Sequence, residues 1–182
     1  MNPVISTLER LVDKLERAGL DYMVVGSLAS SHHGEPRSTQ DADVVIAADP
    51  EALERLLALL PSEDWYVDAN TARMALASKR QFNIIDQRQI WKVDLIVCKG
   101  TAFEEEAFSR RTLQRLGTVD AYVQSAEDTV LSKLRWAHQV GGSERQLRDV
   151  SGILAIQQEL DWEYLHAWAE ELGVAEMLEE LR

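Results

Sequence analysis

Three aspartates stand where a folded chain has little use for a carboxylate. Asp41 and Asp43 flank Ala42 at the head of Val44-Val45-Ile46, and Asp94 interrupts the run Trp91-Lys92-Val93-Asp94-Leu95-Ile96-Val97. Aspartate is disfavoured in strands, and a lone buried carboxylate is costly without a compensating cation. Residues two apart on a strand point to one face, about 6–7 Å from each other. If the two runs are neighbouring strands, about 4.8 Å apart, the three carboxylates converge on one patch. Crowded like charges raise one another's pKa values or demand a counter-charge. A divalent cation, or a pair about 3.5–4 Å apart, answers that demand and suits phosphoryl chemistry. The donors are all oxygens, which favours magnesium or manganese over zinc. The competing reading makes Asp41 and Asp43 turn caps entering a strand, and Asp94 a rim residue.

A second feature is Val24-Val25-Gly26-Ser27, a strand running through glycine and serine into a helix. Glycine permits close backbone approach, and a helix start offers free N–H groups and partial positive charge, an arrangement that binds phosphate. The same residues also make an ordinary helix cap. Asp41 follows Ser27 by fourteen residues, room for a short helix and a return into the adjacent strand. The turn and the Asp pair are then expected at the same end of the sheet.

The elements that must position these residues are punctuated clearly. Asn2 and Pro3 suit a helix start, Ile5, Leu8, Val12 and Leu15 recur at helical spacing, and Gly19 is a stop. Strands are expected over Asp21–Val25, Asp41–Ala47 and Trp65–Val67, with a short helix over Leu28–His33. Asp49-Pro50-Glu51 opens a helix striped by Leu53, Leu56, Leu57 and Leu60, and Thr71–Arg80 reads as another. Phe82–Asp86 and Ile90–Val97 around a polar link suggest a hairpin. Thr112–Val123 reads as strand or irregular structure. Beyond it the pattern is helical: Ser125-Ala126-Glu127-Asp128 and Ser143-Glu144-Arg145-Gln146 have capping-box spacing. Gly141-Gly142 parts these two helices, Asp161 opens a third, and Gly173 precedes a final acidic segment. The expectation is an α/β part over 1–123 and a helical region over 124–182 packed on it.

The 182 residues are 46% hydrophobic and 27% charged, which fills a core and excludes a disordered or collagen-like chain. No apolar run approaches the ~18 residues of a membrane span. Glu9 and Asp13 inside the first apolar stretch argue against a signal-peptide core, and the single Cys98 rules out an internal disulfide. A cytoplasmic protein is expected. The net charge of −12 makes a poor generic clamp for an extended nucleic acid. Eight of the acidic and one of the basic side chains fall in 157–182, so the remainder is only mildly acidic.

Taken together, Gly26-Ser27, then Gly34-Glu35-Pro36-Arg37-Ser38-Thr39-Gln40-Asp41-Ala42-Asp43, then Asp94 in a later strand, resemble the nucleotidyltransferase superfamily of the DNA polymerase β type. The G-x-x-R-x-T segment looks most like the branch holding AbiEii-like toxin enzymes and lincosamide-type antibiotic nucleotidyltransferases. The likeness covers residues 20 to 97 well and the helical tail less specifically. It implies a mixed sheet with helices packed on one side, and two magnesium (or manganese) ions around an NTP, with ATP an obvious candidate. Asp41 and Asp43 would then bridge the metals. Asp94 would bind the catalytic metal and help deprotonate an acceptor hydroxyl, while Gly26 and Ser27 hold the β- and γ-phosphates. The reaction implied moves an NMP to a small molecule, a protein or an RNA end and releases pyrophosphate.

Other residues invite two readings. Arg37 reaches the phosphates or packs under the Asp41–Asp43 loop. Lys133 matches helical-domain lysines of related enzymes that contact the triphosphate, or lies on a solvated face. Arg148-Asp149 resembles a polar pair in toxin-like relatives, but an Arg145–Asp149 i,i+4 pair is the preferred reading. His32 and His33 are expected to line a pocket or lie at the surface rather than ligate metal. Cys98 reads as a buried small hydrophobe. Trp136, Trp162 and Trp168 read as packing for the tail, and Trp65 and Trp91 as core rather than base-stacking residues. A non-catalytic alternative makes the chain a nucleotide-binding, regulatory member of a toxin–antitoxin-type pair. In that case the stripe Trp168, Leu172, Met177, Leu178 and Leu181 would meet a protein partner or a second copy.

Overall fold

The computed structural model describes residues 3–39 and 41–182; Asn2, expected as a helix cap, and Gln40, a member of the Asp41–Asp43 motif, lie outside the described residues. The chain opens with α1 (Pro3–Ala18), which turns Leu8, Leu11 and Leu15 into the core at helical spacing and stops at Gly19, φ +68°. β1 (Asp21–Val25) runs directly into α2 (Gly26–His33), and β2 (Asp41–Ala47) returns antiparallel to β1. Asp49 caps α3 (Pro50–Ala58) by accepting from Ala52 N–H. Then come β3 (Trp65–Val67), α4 (Ala69–Ala77) and the antiparallel pair β4 (Gln81–Asp86) and β5 (Trp91–Val97).

The stretch after Cys98 carried no expected element, yet Ala102–Ser109 forms α5. Thr101 caps it, Glu104 and Glu105 suit its first turn, and Phe103 and Ala107 are buried. Thr112–Val123 resolves into a hairpin, β6 (Thr112–Leu116) and β7 (Val119–Val123), turning at Gly117 with φ +62°. The tail holds α6 (Ala126–Gln139), α7 (Glu144–Ile156), α8 (Trp162–Glu171) and α9 (Ala175–Leu181).

Seven strands form one mixed sheet in the order β3-β4-β5-β2-β1-β7-β6. β2 lies in the middle, antiparallel to β1 and parallel to β5. Alternation along the strands separates the two faces. Ala42, Val44 and Ile46 of β2, with Val93 and Leu95 of β5, enter a core shared with α1 and Leu53 and Leu56 of α3. Residues between them face the other way.

A second cluster of buried side chains joins the tail. Leu131, Leu134, Val150, Ile153, Leu165 and Leu178 pack together with Phe103 and Ala107 from α5. The stripe considered as a partner surface joins this cluster: Leu178 is fully buried, and Trp168, Leu172, Met177 and Leu181 pack partly buried against the same cluster. Asp128, fully buried, is tied to this assembly by Tyr164 Oη–H at 2.6 Å and Ser125 Oγ–H at 2.6 Å. Of the two expected capping boxes, Ser125 caps α6 through Asp128 N–H, whereas Ser143 makes no side-chain cap. Gln146, the far member of the second box, instead accepts from Lys133. Among the described residues no helix is long and apolar enough to cross a membrane.

Candidate active site

The register of the central strands brings the three aspartates together. Asp43 lies between Val25 of β1 and Asp94 of β5, and Asp41 lies opposite Lys92. Asp41, Asp43 and Asp94 thus share the sheet face turned away from the α1 core. Asp94 is only 8% exposed. Lys92 Nζ donates to Asp94 Oδ2 at 2.9 Å and stands 3.8 Å from Asp41 Oδ2. That hydrogen bond to Asp94 raises the Lys92 pKa above the ordinary lysine value. Burial, then the charges of Asp41 and Asp94, push the Asp43 carboxyl up to about 6.

Gly26 meets this cluster from β1. Its φ is +65°, and a Cβ placed on it would sit 2.2 Å from Asp43 Oδ2. Glycine is required on both counts, conformational and steric. The residue before it, Val25, offers no side-chain cap to α2, so the first N–H groups of that helix remain for another acceptor.

A second charged group faces the first. Arg37 is bound in two-pronged fashion to Asp149 of α7, Nε to Oδ1 at 2.8 Å and Nη2 to Oδ2 at 2.9 Å. Nη2 also donates to Ser27 Oγ at 2.6 Å. Asp149 Oδ2 accepts from Lys133 Nζ at 2.7 Å and from Ser30 Oγ–H at 3.2 Å, and Lys133 donates to Gln146 Oε1 at 2.9 Å. Burial works to raise the Asp149 pKa, but its bonds to Arg37 and Lys133 prevail and hold it below the ordinary carboxylate value. Burial pulls the Lys133 ammonium below the usual lysine value, with Asp149 opposing.

Backbone contact sets this alignment. A Cβ on Gly34 would lie 2.8 Å from Ile153 N, and one on Gly152 would lie 3.3 Å from Glu35 N. The loop leading to Arg37 therefore rests on the backbone of α7, one turn from Asp149. The expected Arg145–Asp149 pair is replaced: Asp149 turns inward to Arg37 and Lys133, because a buried lysine and a partly covered arginine need it more than an exposed arginine does.

A groove of about 920 Å³ runs between the two groups, lined by Gly26, Ser27, Arg37, Asp41, Asp43, Asp94 and Lys133. All seven residues singled out from the sequence are thus brought to one cavity. Lys92 escaped sequence reasoning, and Asp149 stands out there in the Arg148-Asp149 pair but is given to Arg145. Lys92 was legible only as part of a strand, and Asp149 had an equally good local partner. His33 neither lines the groove nor lies at the surface; it is buried, with Nε2 2.7 Å from the Gln124 carbonyl. Cys98 is half-buried at the groove edge rather than buried. Trp65 is core, while Trp136 lies in the groove wall, 54% exposed, and does not pack the tail.

The donor set is all carboxylate oxygen. Asp94 Oδ1 is buried without a hydrogen-bond partner, and Asp43 is destabilised as an anion. Both features fit a hard divalent cation. Among the described residues, however, no three carboxylate or imidazole groups are already drawn into a metal cage. The Lys92 ammonium is the cation that Asp41 and Asp94 share.

Residues 2–182 match a family described as "Nucleotidyltransferase of unknown function (DUF6036)". The chain belongs to that family. This nucleotidyltransferase also shares its fold with solved structures. An antigenic nucleotidyltransferase-like protein from Paracoccidioides brasiliensis superposes with a TM-score of 0.59 at 16% identity, over 99% of this chain and 92% of that one. The antibiotic-resistance factor ANT(2'')-Ia, in complex with adenylyl-2''-tobramycin, gives a TM-score of 0.62 at 11% identity, over 93% of this chain and 96% of its own. Its solution structure gives 0.58 at 11%, over 98% and 97%. No curated protein matches the sequence.

Proposed function

We propose that this nucleotidyltransferase moves an NMP from an NTP to a hydroxyl acceptor and releases pyrophosphate, with Asp41, Asp43 and Asp94 as its catalytic carboxylates. The observation that carries the reading is the row Val25–Asp43–Asp94, which sets the start of α2 against two of the three acids. The acceptor oxygen attacks the α-phosphorus, the bond from that phosphorus to the bridging oxygen breaks, and pyrophosphate departs. Asp94, which lies beside Asp43 on the groove face of the sheet, is the group to receive the hydroxyl proton. Ser27, the α2 N–H groups, Arg37 and Lys133 hold the β- and γ-phosphates. Two divalent cations, magnesium or manganese, held by Asp41, Asp43 and Asp94, supply neutralisation of the triphosphate and of charge developing in the transition state.

Local charge supports an anionic substrate in an acidic protein. Arg37, Lys99, Lys133, Arg135 and Arg145 line the groove beside Asp41, Asp43, Asp94 and Glu104, so it is near charge balance in a chain that carries −12 overall. In this reading 1–123 is the catalytic unit and 124–182 a helical region that completes the phosphate side, with α5 bridging to the tail core.

Incubation with α-labelled NTPs, Mg²⁺ and a panel of small-molecule, protein and RNA acceptors tests the proposal. Label should pass to one acceptor class with release of pyrophosphate, and Asp41→Asn or Asp43→Asn should cut transfer at least ~100-fold. Absence of transfer and of NTP binding, alike in wild type and both variants, would overturn it.

A further inference from the structure

We propose that Trp136 is the base-stacking residue of the nucleotide site. The inference rests on the function proposed above and adds the element that recognises the nucleoside end. α6 presents Thr129, Ser132, Lys133 and Trp136 to the groove, spaced at i, i+3, i+4 and i+7. The adjoining face, with Val130, Leu131 and Leu134, is fully buried in the tail core. One face of the helix thus fixes the other against the cavity.

Trp136 is unlike the other four tryptophans. Trp65 is in the core, and Trp91, Trp162 and Trp168 pack against the two cores. Trp136 alone among the described residues is a tryptophan with more than half its surface exposed, and it makes no ring contact or side-chain hydrogen bond there. An apolar ring left bare beside a charged cavity has an open face for a planar partner.

The position on the helix selects the partner. Lys133 lines the same groove as Asp41, Asp43 and Asp94, so a triphosphate held by the acids' cations is within the cavity that Lys133 also faces. Trp136 stands one turn further along α6, about 4.5 Å on along its axis, and lines the same groove. A nucleotide anchored at Lys133 carries its base into that space. Stacking on an aromatic ring tolerates any base, because each has a π-face.

Calorimetric titration of wild type, Trp136→Ala and Trp136→Phe with Mg²⁺ and the α,β-methylene analogues of ATP, CTP, GTP and UTP tests this, with inorganic tripolyphosphate as the base-free probe. Trp136→Ala should weaken the tightest-bound analogue about tenfold or more, and Trp136→Phe by no more than about threefold. Both should bind tripolyphosphate as wild type does, which also reports an intact fold. Equal analogue binding by Trp136→Ala and wild type would overturn the inference, as would an equal loss of tripolyphosphate. A wild type that binds tripolyphosphate but no analogue more tightly overturns base stacking and leaves the phosphate site standing. Binding of neither probe overturns the nucleotide reading itself.

Discussion

Arg37 and Asp149, 112 residues apart in sequence, meet through two parallel hydrogen bonds of 2.8 and 2.9 Å. The contact joins the loop that precedes the aspartate pair to the helical tail. Because Asp149 also holds Lys133, one carboxylate on α7 fixes two cations of the groove.

Asp149→Ala should therefore act on stability and on the groove together. It leaves Lys133, 5% exposed at its side chain, and the partly covered Arg37 without their anion. Breaking a buried pair by removing one partner costs about 3–5 kcal/mol; the exposure of Arg37 places this case near the lower figure. Urea unfolding should show the loss, and a variant within about 0.5 kcal/mol of wild type would refute the anchoring role.

Asp43 predicts a pH dependence opposite to ordinary acid denaturation. Its folded pKa is raised to about 6 from 3.8, so between these values the folded state binds more protons than the unfolded one. Its penalty is absent below about pH 4 and grows as pH rises through 6, to roughly 2–3 kcal/mol at most. In EDTA, Asp43→Asn should thus be more stable than wild type at pH 7 and equal to it at pH 4. Thermal melts at the two pH values measure this, and a constant difference between the proteins would contradict it.

Two glycines should fail for different reasons. Gly26→Ala places a methyl group against Asp43 Oδ2 at a positive φ, so it should displace that carboxylate and abolish NMP transfer. Gly34→Ala drives a Cβ to within 2.8 Å of Ile153 N on the α7 backbone. Limited proteolysis should then cut between residues 34 and 40 faster than in wild type, with α7 lifted from the loop.

The two serines that share a sequence pattern should separate under mutation. Ser125→Ala removes both an α6 cap and a donor to fully buried Asp128, at a cost of about 1–2 kcal/mol. Ser143→Ala should change stability by less than about 0.5 kcal/mol, since no cap is made there. Chemical denaturation of the pair decides the point.

The amino-acid sequence alone determined the strands that carry Asp41, Asp43 and Asp94 and the Gly26 turn, since period-two alternation, caps and glycines are local signals. It also determined that these acids would need compensation, because a carboxylate in a strand is a local anomaly. Which cation compensates them was decided by strand register, which places Lys92 opposite Asp41 and beside Asp94. Asp149 had a credible partner four residues away, and only the docking of α7 on Gly34 turned it toward Arg37 and Lys133. Trp136, read as packing, is left in the groove wall by the way α6 docks, and the capping pattern at Ser143 failed for a reason related to that of Asp149. Side chains on a helix commit to whichever neighbour the tertiary fold brings, and buried charge outweighs a local cap when the two compete.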